Sequence, residues 1–181
     1  MRRVIVSTYV TLDGVMEAPE KWSLKFWNDE HAKYAHDQLF ASDALLMGRV
    51  VYEGFADSWP SRRNEFADRM NSLPKYVVST TLDKAEWNNS TIIRENVAEE
   101  VSELKQQPGQ DVLIHGSAEL MHTLMRHDLI DEYRLWVHPI LLGSGKRLFR
   151  EENASKALRL VYTTTFSSGV VILSYQPAQA E

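Results

Sequence analysis

The chain has 181 residues, of which 44% are hydrophobic and 25% charged, a composition typical of soluble globular proteins that favours one domain over residues 1–181. Its 20 Lys and Arg against 25 Asp and Glu leave a net charge of −5, which argues against a nucleic-acid partner because nucleic-acid-binding domains usually carry a basic excess. Cysteine is absent, which excludes disulfides, thiolate metal sites and cysteine nucleophiles.

The N-terminal segment and the apolar runs bear on the compartment. Ser7, Thr8 and Tyr9 interrupt the first apolar stretch, which therefore lacks the continuous core of a signal peptide. No apolar run approaches the ~20 residues that a membrane span requires. We expect a cytoplasmic protein without a membrane partner.

Predicted strands and helices alternate along the first 130 residues. The strands cover residues 4–10, 44–47, 75–79, 91–93 and 111–115, and the helices cover residues 26–40, 49–55, 62–73, 97–107 and 118–126. Asn96 is expected to cap the fourth helix. This alternation predicts an α/β fold with a central, mostly parallel sheet and helices on both faces. Three C-terminal strands at residues 133–137, 159–165 and 170–175 lack long crossovers and should add antiparallel edges.

Three of the predicted strands end in small or hydroxylated residues. The segments are Met47-Gly48-Arg49, Ser79-Thr80-Thr81 and His115-Gly116-Ser117. Ligands of open α/β sheets bind outside the carboxyl ends of the strands, and helix N-termini bind phosphates. A glycine between strand and helix is often a simple turn, so the recurrence on three strands carries the prediction of a phosphate-rich ligand. GxGxxG and GxxxxGK[ST] motifs are absent, which counts against Rossmann and nucleoside-triphosphatase domains.

The six histidines do not follow a metal-binding pattern. The pairs His31/His36 and His122/His127 are each five residues apart, on different helical faces, and HExxH is absent. We interpret the histidines as surface or cap residues and expect no metal site. His115 and His138 lie at predicted strand ends, where either could line a pocket. The absence of GxSxG argues against a Ser-His-Asp hydrolase.

Aromatic side chains precede two acidic residues near the first predicted helix. Trp22 and Trp27 lie close in sequence to Asp29 and Glu30. A flat heterocycle packed on aromatic rings, with a carboxylate bonding its N–H groups, would suit this combination. The alternative interpretation is core packing for the aromatics and a helix N-terminal position for the acids.

These motifs together resemble the dihydrofolate-reductase-like group, in particular stand-alone proteins similar to the reductase half of the bifunctional riboflavin-biosynthesis deaminase–reductase. The resemblance covers essentially the whole chain. It rests on TLDG at residues 11–14, LMGRVVYE at 46–53, KYVVSTTL at 75–82, IHGSAEL at 114–120, LIDEYRL at 129–135 and HPILLGSGKRLF at 138–149.

The resemblance implies an NADPH-dependent reductase that transfers a hydride to a pterin-like or ribosylaminopyrimidine-like heterocycle. It assigns Gly48 and Arg49 to the cofactor phosphates, Ser79, Thr80 and Thr81 to the adenosine ribose and its 2′-phosphate, and Gly116, Ser117 and Ala118 to the pyrophosphate. His115 stands where the family often has glycine, so it would crowd the nicotinamide or contact the cofactor. The alternative is a non-catalytic dinucleotide- or flavin-binding protein that retains the fold.

The substrate nitrogen must gain a proton, and the candidates for its donor are three carboxylates. We rank Asp29 first, Glu30 second and Asp13 third, with an ordered water as the alternative. Partial burial beside Trp22 and Trp27 would raise the pKa of Asp29. In the other interpretation, Asp29 only stabilises the helix start.

The resemblance also implies a homodimer. Tyr133, Leu135 and Val137 alternate along a predicted strand and could present an apolar face. An edge strand needs a cover, which a symmetric partner provides.

Overall fold

The computed structural model describes residues 1–151 and 155–179, and its central feature is an eight-stranded sheet. The strands are β1 (Val4–Thr11), β2 (Ser42–Gly48), β3 (Lys75–Val78), β4 (Ser90–Ile93), β5 (Asp111–His115), β6 (Glu132–His138), β7 (Leu158–Thr165) and β8 (Val171–Pro177). Their order in the sheet is β4-β3-β2-β5-β1-β6-β8-β7. All pairings from β4 to β6 are parallel, whereas β8 is antiparallel to both β6 and β7. The predicted mostly parallel sheet with antiparallel C-terminal edge strands is confirmed.

Helices cover both faces of this sheet, as predicted. They are α1 (Asp29–Phe40), α2 (Arg49–Ser58), α3 (Glu65–Ser72), α4 (Val97–Gln106) and α5 (Ala118–Arg126), with short 3-10 turns at Pro19–Lys21 and Leu24–Phe26. Leu45 and Met47 of β2 pack with side chains of α1, α2 and α3. Ala44 and Leu46 pack with side chains of α4 and α5. Burial on both faces explains why the central strands are continuous apolar runs. No helix in the described ranges is long and apolar enough to cross a membrane.

The starts of α1 and α3 and the cap of α4 differ from the predictions, and α3 begins at Glu65 instead of residue 62. Helix α1 begins at Asp29, because residues 24–26 form a 3-10 turn and the Asn28 side chain accepts a hydrogen bond from the backbone N–H of His31 (3.0 Å). Asn96 stands at the N-cap of α4 but makes no side-chain capping bond. Its φ of 53° is left-handed, whereas a capping side chain requires an extended backbone to reach the first amides of the helix.

Strand β6 is an interior strand. It pairs with β1 on one side and with β8 on the other, because β8 returns antiparallel along it. Tyr133 and Leu135 are buried, and Val137 packs against the same core below α4 and α5. The prediction that these three residues present an apolar face to a partner is therefore wrong. The open edge on this side of the sheet belongs to β7, where Leu160, Val161 and Tyr162 are exposed.

Candidate active site

The parallel arrangement brings most of the predicted site residues to one edge of the sheet. Strands β1, β2, β3, β5 and β6 run in the same direction, so their carboxyl ends lie together. Ligand sites of open α/β sheets form at this edge. Asp13 follows β1, Gly48 ends β2, and Ser79 follows β3. His115 ends β5 and His138 ends β6.

The turns after β2 and β5 contact each other directly. The backbone N–H of Gly48 donates a hydrogen bond to Oγ of Ser117 (3.0 Å). Gly48 and Ser117 are the N-cap residues of α2 and α5, so the two helix starts converge. Neither of these two described helices has a side-chain cap, which leaves their first amides for solvent or a ligand. Converging helix N-termini favour a bound anion such as a pyrophosphate.

The turn from β5 into α5 has an unusual backbone. Gly116 and Ser117 have φ values of 59° and 62°, so two consecutive residues are left-handed. Glycine adopts this conformation readily, but a serine there is strained. A Cβ at Gly116 would lie 3.7 Å from Cγ2 of Val51 in α2, so the turn passes close to the start of that helix. Strain of this kind is concentrated at functional sites.

Arg49 and the turn after β3 supply the polar groups on one side of this edge. Arg49 is exposed in the first turn of α2 and pairs with Glu53 (3.0 Å). The buried hydroxyl of Ser79 accepts hydrogen bonds from the backbone N–H groups of Thr81 (3.2 Å) and Leu82 (3.0 Å). Ser79 thus shapes the turn, whereas the side chains of Thr80 and Thr81 are exposed.

Sequence reasoning missed one cation at this side of the edge. Arg94 follows β4 directly, and β4 pairs with β3, so that the N–H of Ser79 donates to the carbonyl of Ile93 (3.0 Å). The Arg94 guanidinium is exposed and donates to the carbonyl of Asp83 (3.0 Å). The available signal was a cationic residue immediately after a short apolar strand.

His115 contributes a neutral imidazole next to the Gly116 turn. Its ring meets the edge of the Phe55 ring at 5.8 Å between centroids. Burial lowers the pKa of His115 to about 4, so the ring is uncharged at neutral pH. Its Nε2 is buried and has no hydrogen-bond partner. A buried polar atom without a partner next to two uncapped helix starts fits a bound ligand with polar groups, as a dinucleotide has.

Asp13 is a loop anchor. Its carboxylate accepts hydrogen bonds from the hydroxyl of Thr11 (2.6 Å) and from the backbone N–H groups of Leu142 (3.3 Å) and Gly143 (2.7 Å). The Arg147 guanidinium donates a hydrogen bond to the backbone carbonyl of Asp13. The bond from Thr11 and those from the amides lower the pKa of Asp13 to about 2. Asp13 is therefore a carboxylate at neutral pH and joins the loop after β1 to the loop after β6.

The two acids at the start of α1 face solvent. Asp29 is exposed, so the partial burial expected for it is wrong. The physical reason is the helix phase, because His31 occupies the inward position of the first turn. The Glu30 carboxylate accepts bonds from the N–H (2.9 Å) and the hydroxyl (2.6 Å) of Ser167, which lower its pKa.

His31 is fully buried within a group of aromatic rings, so its interpretation as a surface or cap residue is wrong. Its ring centroid lies 4.3 Å from that of Trp27 and 4.5 Å from that of Trp136. Its Nε2 lies 2.7 Å from the hydroxyl of Tyr9. The signal was present in the sequence, because His31 is in register with Ala35 and Leu39 on the inward stripe of α1.

His122 is a second exception to that interpretation. It is buried in α5, and its Nε2 lies 2.7 Å from the carbonyl of Leu148. Within residues 1–151 and 155–179, no three histidine, aspartate or glutamate side chains are close enough to hold a metal ion.

The sheet, its antiparallel edge strands and the helices on both faces form an α/β fold of the dihydrofolate-reductase-like type. Solved structures share this fold. One from Shewanella sp. PV-4, named for riboflavin biosynthesis, has a TM-score of 0.79 at 20% identity and covers 98% of this chain and 99% of that one. Dihydrofolate reductase from Enterococcus faecalis, solved with NADP(H), has a TM-score of 0.67 at 15% identity, with 98% and 97% covered.

The family follows from the sequence itself. The family model described as the RibD C-terminal domain matches residues 2–172, so the chain belongs to the RibD C-terminal domain family. Among its relatives is "Uncharacterized protein YyaP" of Bacillus subtilis (strain 168), which is 35% identical over 182 residues, or 96% of this chain and 94% of YyaP. The resemblance drawn from the motifs is confirmed.

Asp13→Asn is expected to loosen the loop after β6. The side-chain nitrogen of asparagine is a donor, so it cannot accept the hydrogen bonds that the Asp13 carboxylate accepts from Leu142 and Gly143. The Gly143 amide should then exchange with solvent faster, as measured by hydrogen–deuterium exchange. In the wild type, the stabilisation of this loop by the Asp13 carboxylate should be complete above about pH 4, near the ordinary pKa of 3.8. It should be lost as the pH falls through the lowered pKa of about 2. Asp57→Asn, at an exposed position of α2, is the control and should leave the Gly143 amide unchanged. Equal exchange in wild type and Asp13→Asn would contradict the anchoring role.

Proposed function

We propose that the chain is an NADPH-dependent reductase that transfers a hydride to a pterin-like or ribosylaminopyrimidine-like heterocycle. The observation that carries the proposal is the hydrogen bond from Gly48 to Ser117, because it joins the starts of α2 and α5 into one anion-binding edge. The NADP(H) of the Enterococcus faecalis dihydrofolate reductase, which has the same fold, supports the choice of cofactor.

In this proposal the edge residues divide the cofactor between them. The groups around the two helix starts hold the phosphates: Gly48, Arg49, Gly116, Ser117 and Ala118. Thr80 and Thr81 bind the adenosine ribose and its 2′-phosphate, while Ser79 holds their turn in shape. Arg94 adds a positive charge on the same side. The ring of His115 lies beside the nicotinamide and, because it is neutral, adds no charge next to it.

When bound, NADPH supplies the hydride, and the protein positions the two rings and excludes water. The group of aromatic rings under α1 is suited to that task, because Trp136 and His31 are fully buried there. A ring nitrogen must gain a proton as the hydride reaches carbon. Asp13 and Glu30 are both held as carboxylates, so Asp29, or a water beside it, is the donor in this proposal.

The lowered pKa values of Asp13 and Glu30 also favour a second candidate, a non-catalytic dinucleotide- or flavin-binding protein. The two candidates differ in turnover alone. NADPH oxidation in the presence of dihydropterins and ribosylaminopyrimidines supports the reductase. If NADPH binds but is not oxidised with either dihydropterins or ribosylaminopyrimidines, the non-catalytic binding protein is favoured.

Arg49→Gln is expected to weaken NADPH binding about tenfold and NADH binding much less, because in this proposal the exposed Arg49 guanidinium also bonds to the 2′-phosphate, which NADH lacks. One charge-assisted hydrogen bond to phosphate is worth ~1.5–3 kcal/mol. Calorimetric titration with both cofactors measures the change. Arg159→Gln is the matched control, because Arg159 is an exposed arginine on β7 that bonds to Gln176. Equal affinity of the wild type for NADPH and NADH would contradict the assignment.

Asp29→Asn is expected to lower turnover by about 10²-fold, at the low end of the range for general acids, since the exposed carboxyl group of Asp29 would take a proton from solvent water and pass it on to the substrate nitrogen. NADPH affinity should stay within about twofold of the wild type, because Asp29 is not among the phosphate-binding residues. The control is Asp37→Asn, which changes another exposed carboxylate of α1, one that pairs with Lys33 (2.6 Å). Undiminished turnover in Asp29→Asn would make this residue a helix-start acid only.

A homodimer through β7 is the assembly we propose. Strand β7 is the open edge, and Leu160, Val161 and Tyr162 are exposed on it, so a two-fold copy would cover unpaired backbone and apolar surface together. Light scattering should give twice the chain mass, and Leu160→Lys should give a monomer. Leu24→Lys, at an exposed apolar position away from β7, is the control. A wild-type monomer at all concentrations would contradict the proposal.

A further inference from the structure

The turn between β7 and β8 holds the start of α1. The hydroxyl and the backbone N–H of Ser167 both donate to the Glu30 carboxylate (2.6 and 2.9 Å). The Asn28 side chain donates to the same hydroxyl oxygen (3.2 Å). Asn28 caps α1 and Glu30 is its second residue, so the two neighbours of Asp29 are both bound to one serine. The function proposed above uses Asp29 but does not use these bonds.

The two ends of α1 are supported by different parts of the molecule. Near the C-terminus of the helix, Leu39 is fully buried and Phe40 packs beside it in the core that α1 shares with β2, α2 and α3. Nearer the N-terminus, Tyr34 and Ala35 pack against a smaller core that includes Phe166 of the β7–β8 turn. The main core therefore fixes the C-terminal half of α1, whereas the position of the N-terminal half depends on the hairpin.

A bulge in β7 supplies a second polar contact with α1. The pairing of β7 with β8 shifts register between Leu160 and Tyr162, which makes Val161 an extra residue. In the register set by Leu160, Tyr162 would pair with Leu173, which packs against the core below α4 and α5. A shift of one residue turns a side chain to the other face of a sheet, so the bulge places Tyr162 on the α1 face. There its hydroxyl is hydrogen-bonded to that of Tyr34.

The hairpin does not need these two contacts for its own structure. Strands β7 and β8 are paired along their length, and the Phe166 amide closes the turn by donating to the Val170 carbonyl (2.9 Å). Ser167 and Tyr162 are exposed residues, yet their hydroxyls bond to side chains of α1. A neutral hydrogen bond adds only modestly to the free energy of unfolding, so the main consequence of these bonds is the position of the helix.

We propose that Ser167 and Tyr162 are positioning residues, which hold the N-terminal half of α1, and with it Asp29, in place for proton transfer. Ser167 acts on the two neighbours of Asp29, and Tyr162 acts one turn further along the helix through Tyr34. This inference rests on the function proposed above, in which Asp29 is the donor. It makes the β7–β8 hairpin a part of the site.

Hydrogen–deuterium exchange tests the positioning without any ligand. The reporters are the amides of His31 and Ala32, which donate to the side chain and the carbonyl of the capping residue (3.0 Å each). Ser167→Ala should speed their exchange about threefold, since it removes the hydroxyl that holds this cap. Tyr162→Phe, which removes a bond to the next turn, should have a smaller effect. The Ala41 amide, at the other end of α1, should not change.

Turnover tests whether the hairpin acts through Asp29. With NADPH and a ribosylaminopyrimidine, Ser167→Ala should lower kcat about fivefold, the equivalent of one hydrogen bond. NADPH affinity should be unchanged, because the phosphate-binding helix starts are those of α2 and α5. In the Asp29→Asn background the same substitution should cost no further turnover, because a donor that is absent cannot be misplaced. A role in general stability would instead lower turnover in both backgrounds.

Two matched controls come from the same hairpin. Ser168→Ala is the control for Ser167→Ala, because the Ser168 hydroxyl bonds within the turn, to the Val170 amide (3.5 Å). Tyr175→Phe is the control for Tyr162→Phe, because Tyr175 packs on the opposite face of the hairpin. Both controls should match the wild type in the exchange of α1 and in turnover. Thermal unfolding should show that every variant folds.

The outcomes separate this inference from the function proposed above. Unchanged exchange of His31 and Ala32 in Ser167→Ala would overturn it, and so would an equal loss of turnover in the wild-type and Asp29→Asn backgrounds. Reduced turnover in Asp29→Asn with undiminished turnover in Ser167→Ala would overturn this inference alone. Undiminished turnover in Asp29→Asn, or a wild type that oxidises no NADPH with either class of heterocycle, would contradict the proposed function and this inference with it.

Discussion

The common direction of the central strands is the constraint on which the rest of this structure depends. Because β1, β2, β3, β5 and β6 are parallel, each releases its chain at the same edge, and every following loop starts there. Helices on both faces then pack the apolar side chains of the strands, which leaves the edge as the place where polar groups can gather. The bond between Gly48 and Ser117 is a consequence, since strands β2 and β5 are neighbours.

Along this edge the chemistry changes from one end to the other. Towards β3 and β4 the groups are exposed and polar, with Arg49 and Arg94 as cations and two uncapped helix starts nearby. Towards β1 and β6 the groups are aromatic and buried, and the polar atoms belong to neutral imidazoles. Such a division suits a ligand pair with phosphates at one end and flat rings at the other. Asp29 and Glu30, the two acids at the start of α1, face solvent and not the buried rings.

The sequence predicts the sheet and the positions of the turns at its carboxyl edge for a physical reason. Apolar runs buried on both faces, such as Ala44 to Met47, are recognisable because every position is apolar, and a glycine after the run marks a turn. Gly48 and Gly116 belong to such runs, so they could be placed without knowing what packs on them.

The same reasoning fails where a position depends on a distant element. Tyr133 and Leu135 alternate like an exposed strand, but the return of β8 makes β6 an interior strand. Asp29 stands next to tryptophans in sequence, yet the capping bond of Asn28 sets the helix phase and turns His31 inward. The side chain of Asn96 fails to cap because its backbone is left-handed. Of these features, the burial of β6 depends on a distant strand, whereas the inward position of His31 is indicated locally by its register with Ala35 and Leu39.

The distribution of proton-binding groups follows from the same packing. A carboxylate in the buried half would need donors to offset its desolvation, and the strand faces there present rings. Asp13 and Glu30 find their donors in loops instead, at Gly143 and Ser167, and each thereby joins two segments of chain at the rim. Because these hydrogen bonds lower the pKa values of Asp13 and Glu30, both remain carboxylates at neutral pH and carry no proton. The inward position of α1 is then filled by histidine, which burial keeps neutral and which can exchange donor and acceptor roles with Tyr9. The polar atoms of the buried half are therefore neutral and differ from one another only as hydrogen-bond donors and acceptors.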